Sequence, residues 1–195
     1  MKIGVFALQG AFIEHERALL SLGAEVKEIR RLNDFTDVLD GVVLPGGEST
    51  VQGKLLKEGN LLKPLKKRIQ EGLPVFGTCA GMILLANKLS NDDNVYLGTM
   101  NITVKRNAYG RQLGSFAKTL DFTGVGEYPA VFIRAPYVES ASAGVEVLAE
   151  CADKIVAVRQ GHMLATAFHP ELTDDLRVHA YFLDMIKNKT ERDSL

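Results

Sequence analysis

At 195 residues, 46% apolar and 24% charged, the chain has the length and balance of one well-packed domain, which excludes a disordered or fibrous protein. Its 23 basic and 24 acidic residues leave a net charge of −1, without the basic excess of a nucleic-acid-binding domain. No run reaches the ~18 apolar residues of a membrane span, and two distant cysteines make neither a CxxC pair nor a disulfide framework; a cytoplasmic protein with reduced thiols is expected.

The start, MKIGVFALQG, is too short in its apolar run for a leader, and Ile3–Leu8 reads as a first strand ending at Gln9-Gly10. Phe12, His15, Ala18, Leu19 and Leu22 then recur at helical spacing until Gly23 stops the helix. Val26–Ile29 is a second strand and Val42–Leu44 a third, cut by Pro45-Gly46-Gly47. Helical segments Val51–Lys57 and Leu61–Gln70 follow, and Pro74–Gly77 is a short buried strand running into an apolar helix over Ala80–Leu89. This alternation predicts βαβ units and a parallel sheet with helices on both faces. From about Gly98 the texture changes. Asn101–Lys105, Ser115–Leu120, Ala130–Ile133, Val145–Ala149, Lys154–Val158 and Leu164–Phe168 are strand candidates separated by turn residues, expected to add antiparallel strands to the core. Val178, Tyr181, Phe182, Met185 and Ile186 mark a closing helix behind Thr173-Asp174-Asp175. With no linker or repeat in view, residues 1–195 read as a single α/β domain.

Three segments carry chemistry. Gly77-Thr78-Cys79-Ala80-Gly81 joins a strand to a helix, where a nucleophile on a tight turn projects from the sheet and flanking glycines permit the bend. The helix N-terminus offers N–H groups to an anion. The plain alternative is a buried thiol acting as a small hydrophobe, which is also the reading of Cys151. In Ala167-Phe168-His169-Pro170-Glu171 the proline favours extended chain, and residues i and i+2 of an extended chain share a side. Glu171 could then orient the His169 imidazole toward a nucleophile; alone, the segment reads equally as a charged loop. Leu44-Pro45-Gly46-Gly47-Glu48-Ser49-Thr50 is either a glycine turn or a loop whose N–H groups meet a ligand, with Glu48 placed for an ammonium and Ser49 or Thr50 for a helix cap. In open α/β sheets the ligand lies beyond the carboxyl ends of the strands, so Gln9-Gly10, the glycine turn and Cys79 are expected on one rim. His15 falls on an apolar helical stripe and reads as a boundary or interface residue.

GTCAG, LPGGEST and FHPE, in that order, resemble the triad-type, or class I, glutamine amidotransferases. Within them ALQGAFIEH, VKRNAYGRQ at 104–112, VFIRAP at 131–136 and FHPELTDD at 168–175 are similar to the glutaminase subunits of pyridoxal 5′-phosphate synthases, and they span the chain. Another glutaminase subunit, such as that of imidazole glycerol phosphate synthase, would share the triad but lack RNAYGRQ and FIRAP. The resemblance implies a flavodoxin-like class I fold and hydrolysis of L-glutamine, with Cys79 as nucleophile, His169 as base and acid, and Glu171 as its orienting carboxylate. It implies an oxyanion hole from the Gly47 and Ala80 N–H groups, and a glutamine site lined by Gly47, Glu48, Ser49, Arg106, Ile133 and Arg134. It further implies a synthase subunit as partner, met near Gln9, Gly10 and His15, whose docking sets the loop Pro45–Ser49. No metal or cofactor is expected.

Overall fold

The structure, a computed structural model, describes residues 1–36, 38–106 and 114–193. The first half alternates β1 (Lys2–Phe6), α1 (Phe12–Ser21), β2 (Glu25–Ile29), β3 (Gly41–Leu44), α2 (Ser49–Glu58), α3 (Leu62–Gln70), β4 (Val75–Thr78) and α4 (Ala80–Leu85). The second half runs β5 (Ala86–Leu89), β6 (Met100–Lys105), β7 (Ser115–Phe122), β8 (Gly126–Ile133), β9 (Tyr137–Ala141), β10 (Glu146–Cys151), β11 (Lys154–Gln160), β12 (Met163–Thr166) and α5 (Arg177–Asp193).

One sheet runs through the described residues in the order β2-β1-β3-β4-β12-β11-β9-β6-β5, with β10 on β11. Its first five strands are parallel, and β12 is inserted beside β4 with Ala165 opposite Gly77 and Thr166 opposite Thr78. Antiparallel pairing begins at β11, and β7–β8 forms a separate two-stranded ribbon. Strands β3, β4 and β12 are buried at every position, as continuous apolar runs between two helical layers should be. Neighbouring residues of β4 identify the layers. Phe76 packs on His15, His179 and Phe182 of α1 and α5. Gly77 faces the other way, where a Cβ would lie 2.7 Å from the Gly81 backbone of α4.

Several elements differ from expectation. Strand β12, expected among the antiparallel additions, lies parallel to β4 inside the core, and β7 and β8 pair with each other instead of extending the sheet. The helix predicted over Ala80–Leu89 ends at Leu85, because the Leu84 and Leu85 carbonyls accept from Leu97 and Thr99 of the returning chain instead of from the next helical turn. Ala86–Leu89 is then free to pair with β6. Strand β9 was not predicted. Its YVESA sequence buries only Val138 among exposed or half-buried neighbours, so it has little apolar signature, and its pairing with β6 and β11 defines it. Residues 107–112 of the VKRNAYGRQ segment lie outside the described residues.

Candidate active site

The carboxyl ends of β1, β3, β4 and β12 deliver their following loops to one rim. Cys79 stands immediately after β4 with φ 48° and ψ −97°, a left-handed conformation that a β-carbon resists. The bend is held by hydrogen bonds. The Cys79 N–H donates to the Thr166 carbonyl of β12 at 2.8 Å, and its own carbonyl accepts from the Ile83 N–H at 3.3 Å in the first turn of α4. The side chain is thereby lifted off the sheet, at 7% exposure.

His169 and Glu171 follow β12, with Pro170–Leu172 in a 3-10 turn. His169 Nδ1 lies 2.8 Å from Glu171 Oε1, and both side chains are almost fully buried. Nε2 has no hydrogen-bond partner of regular geometry and is the ring nitrogen left for the thiol. Burial alone would lower the imidazole pKa, but interaction with Cys79 and the hydrogen bond to Glu171 push it up to about 10. Burial would likewise raise the Glu171 carboxyl, yet His15 and His169 hold it below its ordinary value.

The glycine turn closes against this pair. A β-carbon on Gly46 would stand 2.3 Å from His169 Cε1, and one on Gly10 would stand 1.8 Å from the Gly46 carbonyl oxygen, so both positions require the smallest residue. The turn is fastened to the end of β1 from several directions. Ala11 N–H donates to the Gly46 carbonyl at 3.0 Å, Glu48 N–H to Gln9 Oε1 at 2.8 Å, and Gln52 Nε2 to the carbonyls of Gln9 and Pro45 at 2.8 and 3.1 Å. The α2 cap expected from Ser49 or Thr50 is Glu48, whose carboxylate accepts from the Thr50 N–H at 3.4 Å.

A cavity of about 380 Å³ opens above Cys79, lined by Gln9, Gly10, Gly47, Glu48, Ser49, Arg106, Ile133, Arg134 and His169 among others. Ala80 is buried at the start of α4, and Glu171 sits behind His169 rather than on the cavity wall. Arg106 is not a bare cation. Its guanidinium meets Asp92, and Nη2 reaches Glu48 Oε1 at 3.2 Å and Thr50 Oγ1 at 3.1 Å. His15 corrects an expectation: it is fully buried behind Glu171, packed by helical periodicity into the layer between α1 and α5, and its side chain is closed to a partner. Sequence reasoning missed Gln52, which sits mid-helix without a motif, and His179, whose neighbourhood depends on a contact 164 residues away.

A model of the SNO glutamine amidotransferase family matches residues 5–188. The pyridoxal 5′-phosphate synthase subunit PdxT of Streptococcus pneumoniae is 53% identical over 193 residues, covering 97% of this chain and 100% of the relative. A crystal structure of a glutamine amidotransferase superposes with a TM-score of 0.90 at 47% identity, over 95% of this chain and 98% of the other. A glutamine amidotransferase from Thermotoga maritima, 14% identical with a TM-score of 0.58 over 97% and 85% of the two chains, shares the fold alone.

Proposed function

The chain belongs to the SNO glutamine amidotransferase family, and from that membership we propose that it hydrolyses L-glutamine and passes the ammonia to a synthase subunit that makes pyridoxal 5′-phosphate. The observation that carries the reading is the imidazole of His169, held at Nδ1 by Glu171 and open at Nε2 over the only cysteine of the cavity. A nucleophile, a base and an orienting acid in that sequence are what acyl transfer needs.

In the proposed reaction the Cys79 sulfur, its proton held on His169, attacks the side-chain amide carbonyl. The oxygen takes up the negative charge opposite the N–H groups of Gly47 and Ala80, where one well-placed donor is worth about 3–4 kcal/mol. His169 returns its proton to the departing nitrogen, ammonia leaves, and a glutamyl thioester remains on Cys79. Water then gives a proton to His169 as it attacks the thioester, and collapse releases glutamate and restores the sulfur and imidazolium. Glu171 stays ionised throughout. Glu48 and Ser49 on one wall, and Arg106, Ile133 and Arg134 on the other, form the proposed seat for the amino-acid end of the substrate. The arginines answer its carboxylate and Glu48 its ammonium, with Arg106 shared between Glu48 and Asp92. The subunit is read as cytoplasmic; among the described residues no helix is long and apolar enough to cross a membrane.

The test is glutaminase turnover with and without the synthase subunit, together with labelling by an electrophilic glutamine analogue. Cys79→Ser should stay folded and lose activity by orders of magnitude, since a hydroxyl is far less ionised than a thiol near neutral pH. The analogue should modify Cys79, which lines the cavity, and spare Cys151, which is buried away from it. Full activity in Cys79→Ser, or label on Cys151, would overturn the assignment.

A further inference from the structure

Behind Glu171 lie two histidines that the reaction leaves unused. His15 on α1 and His179 on α5 are both fully buried, with His15 Nδ1 2.9 Å from His179 Nε2. His15 Nε2 points the other way, 3.1 Å from Thr78 Oγ1 and 3.4 Å from Glu171 Oε2. That carboxylate oxygen has no regular hydrogen bond, whereas its twin accepts from His169.

The proton positions follow from counting donors and acceptors. A proton on His15 Nδ1 would be donated to His179 Nε2, leaving the Nε2 lone pair to accept from the Thr78 hydroxyl and to face the Glu171 carboxylate with no proton between them. It would also force the His179 proton onto Nδ1, which has no acceptor. A proton on His15 Nε2 is instead donated to Thr78 Oγ1 and faces Glu171 Oε2 at 3.4 Å, an electrostatic contact short of a regular hydrogen bond, while His179 Nε2–H donates to His15 Nδ1. The one idle atom is then a His179 lone pair, cheaper to bury than an orphaned N–H. Both rings are neutral in this arrangement: burial lowers His15 and takes His179 down to about 3.

We propose that His15 is a positioning residue for the glutaminase reaction: its Nε2–H, fixed in that tautomer by His179, steadies the outer oxygen of Glu171 so that the inner oxygen stays aimed at His169. A buried carboxylate with one bare oxygen would rotate or take up a proton, and either change releases the imidazole. The inference rests on the role given to Glu171 above. The titratable groups bearing on that carboxylate are His169 beside it, Cys79 beyond His169, His15 from α1, His179 from α5 and Tyr128 from β8, while Glu14 acts on His15 from its own helix.

The test is glutaminase turnover of the chain with its synthase subunit across about pH 5 to 9, where acid and base limbs are both visible. His15→Leu should lower kcat roughly tenfold or more with KM unchanged, and move the acid limb to higher pH because Glu171 holds its proton more tightly. His15→Gln, whose amide N–H reaches the place of Nε2, should restore both readouts. His15→Asn, whose shorter amide reaches only the place of Nδ1, should behave like Leu and replaces it if the Leu variant does not fold. Wild-type kcat and pH profile in the Leu or Asn variant would overturn the proposal. So would a Gln variant as impaired as the other two, since packing and not the N–H would then be at fault. Glu171→Gln run alongside separates the layers: wild-type turnover there removes the role of Glu171 itself, whereas a slow Glu171→Gln beside an unaffected His15→Leu removes only the role of His15.

Discussion

Three buried histidine rings lie near one buried carboxylate, and burial treats them differently because their partners differ. His169, between the Cys79 sulfur and an ionised carboxylate, is pushed up to about 10; burial takes His179 down to about 3, although Glu171 acts the other way. The two shifts act on stability at opposite ends of the pH scale. The raised His169 contributes stability that is complete below its unfolded value of 6.5 and is lost as pH rises through about 10. The lowered His179 makes the folded state refuse a proton that the unfolded chain accepts, so stability falls as pH drops below 6.5 toward about 3. The histidines that burial lowers, His179, His15 and His162, all act in the window from about pH 6.5 to 5. The fold should lose roughly 2 kcal/mol from His179 alone by about pH 5. Urea midpoints measured at intervals between neutral and mildly acid pH check this; a flat series would mean that these rings are not buried neutral.

At the scale of the element, the glycine turn between β3 and α2 is the part most sensitive to a small change. Gly46→Ala would put a methyl carbon 2.3 Å from His169 Cε1 and 2.6 Å from Nδ1, so ring or turn must move. A displacement of about 1 Å in a reacting group costs on the order of 10²-fold in rate. Gly46→Ala should therefore keep a cooperative unfolding transition and lose about that much kcat; an unaffected kcat would mean that the turn yields without disturbing the imidazole. The residues of this element were legible because GTCAG, PGGES and FHPE mark strand ends by turn chemistry, and strand ends of a parallel sheet share a rim. What the chain hides are contacts between distant elements. Helical periodicity puts His15 on an apolar stripe and leaves His179 beside Val178, but says nothing of α1 meeting α5 across Phe76. The alternation of β9 is too polar to announce a strand, and the apolar run after Cys79 conceals a helix end decided by Leu97 and Thr99.

At the scale of the whole molecule, the segment after β1 is both rim and fastener. Gln9 and Ala11 hold the glycine turn through backbone and side-chain hydrogen bonds, so a partner resting on Gln9 and Gly10 would act directly on the loop that carries the Gly47 N–H. Ammonia is useful only beside its acceptor, and a coupling of this kind needs a few kcal/mol of differential contact. The isolated chain should accordingly be a poor glutaminase that added synthase subunit activates, and glutamine should tighten the complex by the reciprocal factor. Turnover titrated with the synthase subunit, and complex affinity measured with and without glutamine, check both statements. Equal activity alone and in complex would remove the coupling while leaving the glutaminase reading intact.

The insertion of β12 between β4 and β11 also sets an order in time. Cys79 is synthesised 90 residues before His169, and the strand that carries the histidine must enter the middle of a sheet whose other parallel members precede it in the chain. Until that strand arrives the nascent polypeptide holds its sulfur with no imidazole beside it and no carbonyl of Thr166 to fasten the bend. The nucleophile therefore precedes its base along the chain, and the triad is complete only once the last strand of the sheet is in place.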